Sequence, residues 1–99
     1  MKYMYAYWVD RFGKHYARID VVENVIEVLG IDSEGVVYEI FKCDEVVYSD
    51  NAIKCVVEDD GDRYVDYYIP KQAIVNDVPS YVKDAFIRNN RLVREETHG

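Results

Sequence analysis

Residues Tyr3 to Val9 alternate, with Tyr3, Tyr5, Tyr7 and Val9 on one side and Met4, Ala6 and Trp8 on the other, the period of a strand. Asp10-Arg11-Phe12-Gly13-Lys14 supplies a glycine-containing turn, so His15 to Ile19 is expected to return antiparallel as the second arm of a hairpin. The period then changes. Asp20 and Glu23 have the spacing of a capping box, and Val22, Val25, Ile26 and Leu29 fall on one helical stripe opposite Glu23, Asn24 and Glu27. Gly30 followed by Ile31 suits a left-handed helix stop, so the pattern predicts a helix near residues 20–30. The competing reading is a Glu23-Asn24 turn between two strands, supported by the weak helix propensity of Val and Ile.

Asp32-Ser33-Glu34-Gly35 is turn chemistry, and Val36 to Lys42 is rich in strand-forming residues. Glu45 to Tyr48, a Ser49-Asp50-Asn51 turn and Ala52 to Glu58 predict another strand and return, with Cys43-Asp44 placed to bulge the first. Asp60-Gly61 is a favoured type I′ turn. Counting back from it sets Glu58 opposite Arg63, Val56 opposite Val65 and Cys55 opposite Asp66, with Ile53, Cys55 and Val57 sharing a face with Tyr64 and Tyr68. Pro70 ends that strand or puts its tail on an edge, and Gln72 to Val75 reads as a short edge strand. Beyond Pro79, the positions Val82, Ala85, Phe86, Asn89, Leu92 and Val93 recur at helical spacing, so a helix should run into the low nineties, with Glu96 to Gly99 frayed. The expected product is α+β: one domain over residues 1–99, an antiparallel sheet of five or six strands, the C-terminal helix and, on the helical reading, the second helix near residues 20–30.

Composition supports the strand-rich reading, because sixteen Val and eight Ile stand against two Leu. Ninety-nine residues leave room for one core and no second catalytic module. The formal net charge of -7 repels phosphate backbones and anionic lipid, which disfavours direct nucleic-acid binding and membrane-surface association. The apolar run at the N-terminus ends at Asp10, too short for a signal or membrane segment, so a cytoplasmic protein is expected. Cys43 and Cys55 lack Cys-x-x-Cys spacing and are expected as buried thiols, with an intrachain disulfide as the lesser alternative.

Motifs for chemistry are sparse. His15 and His98 have no Cys, His or carboxylate at ligand spacing, and neither cysteine sits in a glycine-rich nucleophile turn, so no metal, cofactor or catalytic residue is expected. Glu58-Asp59-Asp60-Gly61-Asp62 resembles a calcium loop but has Tyr67 where the loop needs a bidentate Glu; it reads as a solvated turn. Leu29-Gly30-Ile31 and Val36 resemble the turn of a helix-turn-helix, yet Glu34, Gly35 and Glu39 stand where base and phosphate contacts require Arg, Lys, Asn or Gln.

The unusual feature is ten Tyr and one Trp, stiff amphipathic area of the kind that builds interface hot spots. Tyr3, Tyr5, Tyr7, Trp8 and Tyr67 are the candidate interaction face of a non-enzymatic protein–protein interaction module, expected as a homodimer. Edge-strand pairing is one geometry for it. The second reading is an acidic nucleic-acid mimic that occupies the basic groove of a nucleic-acid enzyme. Its candidate charges are Glu34, Glu39, Asp44, Glu45, Asp50, Asp59, Asp60 and Asp62, which must then share one surface. In overall character, and by no single motif, the chain resembles the small acidic, Tyr- and Val-rich proteins of the filamentous viruses of thermoacidophilic archaea. That resemblance implies a viral accessory or host-takeover protein, acting in the host cytoplasm on an unnamed protein target.

Overall fold

The computed structural model describes residues 2–98, with the backbone alone at Thr97 and His98. The strands are β1 (Tyr3–Asp10), β2 (Gly13–Asp20), β3 (Val25–Asp32), β4 (Gly35–Lys42), β5 (Glu45–Tyr48), β6 (Ala52–Asp59), β7 (Asp62–Pro70) and β8 (Ile74–Val75), followed by the helix α1 (Ser80–His98). The class is α+β, as expected. The sheet is not single: β4-β3-β2-β1-β8 form one antiparallel sheet and β5-β6-β7 a second. Cys43-Asp44, expected as a bulge, is instead the connection on which the chain leaves one sheet for the other, anchored by Cys43 N–H on the Asn24 carbonyl at 2.9 Å and Asp44 N–H on that of Val56 at 2.9 Å.

The predicted helix near residues 20–30 is a turn and a strand. Asp20 does accept the Val22 and Glu23 amides on one carboxylate oxygen, both at 3.0 Å, which is the bonding expected of a helix cap. Here the same bonds close a loop, and Asn24 takes a left-handed φ of 57° that sends Val25 back against Asp20. Glu27, expected on an exposed helical side, is 1% exposed in the middle of β3. A central strand covered on both faces presents apolar residues at every position, and periodicity then cannot separate it from a helix.

The first hairpin returns antiparallel as expected, with Trp8 opposite His15 and Asp10 opposite Gly13. Asp60 and Gly61 have φ of 50° and 84°, so both central positions of the β6–β7 turn are left-handed, as a type I′ turn requires. Glu58 pairs with Arg63 and Val56 with Val65 as counted, but a bulge between Cys55 and Val56 makes Asp66 an extra residue and sets Cys55 opposite Tyr67. Tyr67 thereby takes the inner face that had been assigned to Tyr68. Between Pro70 and the helix, Lys71–Ala73 form a 3-10 turn and only Ile74 and Val75 pair with β1, less than the predicted strand over Gln72 to Val75. The helix outlasts its predicted end, and the expected fraying falls on residues 96–98, which are helical, and on Gly99, which lies outside the described residues.

One face of the large sheet carries Ala6, Ala17, Ile19, Ile26 and Val28 against Val46, Ile53, Cys55 and Ile69 of the small sheet. The cysteines there are not thiols. Cys43 and Cys55 form a disulfide with their Cα atoms 5.3 Å apart, tying the end of β4 to β6. The other face carries Tyr16 and Leu29 against Val78 and the helix residues Val82, Ala85 and Phe86.

Candidate functional site

β8 pairs with β1 only at Tyr5 and Ala6, so the outer edge of β1 is left without a strand from Tyr7 onward. A cleft opens beside that edge. Tyr7 and Trp8, which point to opposite faces of β1, form one wall; Asp66, Tyr67, Tyr68 and Pro70 of β7, with Gln72 and Ala73, form the other. Its volume is about 580 Å³, the size of a small-ligand or side-chain pocket. Trp8 is held by stacking on His15, ring centroids 5.3 Å apart, and Tyr67 by stacking on Phe41 at 4.4 Å. Burial, aided by the carboxylates of Glu39 and Asp10, pushes the Tyr67 phenol above its ordinary pKa, so it stays a neutral hydroxyl. Tyr68 is 61% exposed and forms the outer lip. The walls are rigid aromatics, and the polar groups are one carboxylate, one amide, phenol hydroxyls and the edge of β1.

The five candidate aromatics thus divide. Tyr7, Trp8 and Tyr67 come together at the cleft. Tyr3 and Tyr5 do not: the Arg18 guanidinium lies 4.3 Å from the Tyr3 ring centroid and the Lys83 ammonium 5.7 Å from that of Tyr5, on the helix side of the sheet. Tyr7 also packs on Tyr16, centroids 4.9 Å apart, and burial followed by the Tyr81 hydroxyl pushes the Tyr16 phenol up to about 12.

The eight candidate carboxylates do not share a surface. Asp44, Glu45, Asp59, Asp60 and Asp62 gather around the β6–β7 turn, Asp50 occupies the β5–β6 turn at the other end of the small sheet, Glu34 the β3–β4 turn, and Glu39 the middle of β4. Several are already engaged inside the molecule. Asp44 accepts the Glu58 amide at 2.7 Å, and Arg63 joins Glu45 and Glu58.

Sequence reasoning missed a buried polar cluster beneath α1. Arg18 and Glu27 face each other across β2 and β3, with Arg18 Nε donating to Glu27 Oε2 at 2.6 Å and Nη2 to Oε1 at 3.0 Å. The Tyr38 hydroxyl and the Asn90 amide donate to the same Oε1 at 2.7 and 3.1 Å. Burial opposes the Arg18 charge, but its bonds to Glu27 outweigh that and hold its pKa above the ordinary value. Burial, then the bond to Glu27, raises that of Tyr38 as well. Once residues 25–32 are read as a strand, Arg18 and Glu27 fall directly opposite each other, so the signal lay in the choice of turn. The cluster is closed, each donor having its acceptor, and its chemistry is positional.

His15 Nε2 donates to Asp10 Oδ1 at 2.9 Å, and Asp10 also takes the Phe12 amide at 2.8 Å, so this pair closes the first hairpin. The His98 side chain lies outside the described residues. Among the described residues, no three His, Cys, Asp or Glu side chains are grouped to hold a metal ion, and no helix is long and apolar enough to cross a membrane. No protein-family model matches the chain, and no curated protein or solved structure does either.

Proposed function

We propose that the protein is a non-enzymatic protein-binding module whose cleft receives an extended segment of a partner protein. The observation that carries this reading is the cleft of about 580 Å³ between Trp8 and Tyr67–Tyr68, opening along the unpaired outer edge of β1. An extended segment laid there continues the place of β8, bonding to β1 beyond Ala6 while one side chain enters between the aromatic walls. The walls favour an aromatic or branched aliphatic anchor. Asp66 at the rim and the net charge of -7 favour a basic residue next to it. If the chain is viral, as its overall character implies, the partner is a host or virion protein. The acidic-mimic reading requires one acidic surface, and the dispersal of Glu34, Glu39 and Asp50 away from the β6–β7 turn takes away its support.

Trp8 is the single tryptophan and lines the cleft, so its emission reports occupancy. Peptides selected from a random displayed library should share an apolar anchor beside Lys or Arg and shift Trp8 emission on titration. Tyr68→Ser, at an exposed position, should weaken them by about tenfold or more without changing the fold. Selected peptides with no common anchor, or with affinities indifferent to Tyr68→Ser, would overturn the assignment.

A further inference from the structure

The opposite edge of the large sheet presents a different opportunity. β4 is eight residues long, has no bulge and no proline, and pairs only with β3, so every second residue turns its amide and carbonyl outward. Val36 and Val37, on opposite faces near its start, are 58% and 63% exposed. Natural edges of this length and regularity are guarded by Pro, a bulge or an inward charge; β7 has both Pro70 and the Asp66 bulge, whereas β4 has only the charge of Glu39 on the face that meets the small sheet.

The layers above and below the sheet both overrun this edge. On the helix side, Lys83 meets Tyr5 of β1, Phe86 meets Arg18 of β2 and Asn90 meets Glu27 of β3, so α1 crosses the strands in order toward β4. Nineteen residues give a helix of about 28 Å, whereas five strands span about 19 Å; with Lys83 over β1 and Asn90 over β3, exposed Leu92 reaches β4 and only the last turn projects past it. On the other side, Tyr67 stacks on Phe41 of β4, Asp44 just beyond β4 accepts the Glu58 amide, and β7 residues 62–65 are exposed on both faces, so the β6–β7 tip projects beside the end of β4. The free edge of β4 therefore lies between two projecting flaps.

We infer that this edge pairs antiparallel with β4 of a second copy of the chain, with Tyr38 on the two-fold axis. Facing residues in a ladder share a face, and a two-fold normal to the sheet preserves faces, so a symmetric pairing centres on a residue. Only centres at Tyr38 or Glu39 pair all but one residue of the eight. The Glu39 centre sets Glu39 against its own copy. The Tyr38 centre sets Val36 against Ile40 of the second copy, Val37 against Glu39, and Glu34 of each turn against Lys42. In that register the projecting last turn of α1, which passes over the row of Ile40, continues over Val36 of the other copy. The β6–β7 tip, which passes Phe41, continues toward its Gly35, which Phe41 faces in this register. Val36 is covered by the helix, Val37 packs beside the stem of Glu39 of the second copy, and the two helices lie about 14 Å apart, four residues along the strand, without collision.

This inference is independent of the cleft at β1, three strands away, so the two readings fail separately. The test is sedimentation equilibrium of the full chain across protein concentration. The wild type is expected to dimerise, and Val36→Asp, at an exposed position, to weaken the dimer by about tenfold or more. Glu34→Lys and Lys42→Glu should each weaken it by about threefold, and the double reversal should restore it. Peptide-induced Trp8 emission should be unchanged in all four variants. A monomer at every concentration, or a dimer indifferent to Val36→Asp, overturns the inference and leaves the edge to a partner of other sequence. A double reversal that does not restore association overturns the Tyr38 register.

Discussion

On the face of the large sheet that meets β5–β7, Ala6, Ala17, Ile19, Ile26 and Val28 pack against Val46, Ile53, Cys55 and Ile69, and a disulfide joins the layers. On the face that meets α1, three buried helix side chains, Val82, Ala85 and Phe86, share the contact with the Arg18–Glu27 pair and its bonds to Tyr38 and Asn90. The first contact is apolar and indifferent to small shifts, so a covalent tie fixes it. The second is small in apolar area, and burying an ion pair there returns little net stability. What the pair supplies is position: Oε1 of Glu27 is satisfied by donors from β2, β4 and α1 at once, and a helix displaced by one turn leaves it short of a partner. Two covers of one sheet are thus located by different forces.

The largest effect should come from breaking the polar side. Glu27→Ala leaves the Arg18 guanidinium buried without its partner and should cost about 3–5 kcal/mol in urea unfolding. Tyr38→Phe should cost less, about 1.5–3 kcal/mol, since Arg18 and Asn90 still serve Glu27. The sharper form of the comparison is Arg18→Met with Glu27→Met, expected to recover most of the lost stability while amide exchange along α1 accelerates, because packing returns without the positional constraint. Slow exchange in that double variant would show that apolar contact alone places the helix.

Reducing Cys43–Cys55 should follow, at about 3 kcal/mol for a loop this short. The loss should appear as a lower unfolding midpoint in the presence of reductant, with exchange in α1 unchanged. A reductant effect on α1 as large as that on β6 would join the two covers into one cooperative unit and erase the distinction.

The smallest effect is expected in acid. His15, then the Phe12 amide, holds the Asp10 carboxyl below its ordinary 3.8, and Lys83, then the Val78 amide, does the same for Asp77 at the entry to α1. A depressed carboxylate contributes stability that is full above the ordinary pKa and is lost as pH falls through the depressed one. Asp10→Asn with Asp77→Asn should therefore lower stability slightly at neutral pH and flatten the acid limb, variant and wild type converging as pH falls below 3.8. An unaltered acid limb would move that titration to other carboxylates.

The fold was legible wherever a strand had one dry and one wet side or a turn had a demanding residue. Asp60-Gly61 fixed its hairpin because both positions need positive φ. The helix near residues 20–30 was misread because β3 is dry on both sides, and because an aspartate that accepts the amides two and three residues on looks alike before a helix and inside a loop. That single misreading hid the buried cluster, since Glu27 opposite Arg18 exists only in the strand register. The cleft was half legible. The aromatic richness pointed to Tyr7, Trp8 and Tyr67, but their convergence depends on the Asp66 bulge and on β8 stopping after two residues, and neither has a sequence signature. Spacing leaves the disulfide only the lesser alternative, because it describes metal and redox motifs and not two cysteines that a change of sheet brings together.

Asn90 and Glu27 stand sixty-three residues apart in the chain, while the pairings among the first four strands all join neighbours along it. Synthesis runs from the N-terminus, so hairpins β1–β4 and β5–β7 can close on the ribosome while Arg18 and Glu27 still lie open to water. The helix comes last and shuts them in. A chain halted before Ser80 therefore carries both sheets and an uncovered charged and aromatic face, a mark by which quality control can tell unfinished molecules from finished ones.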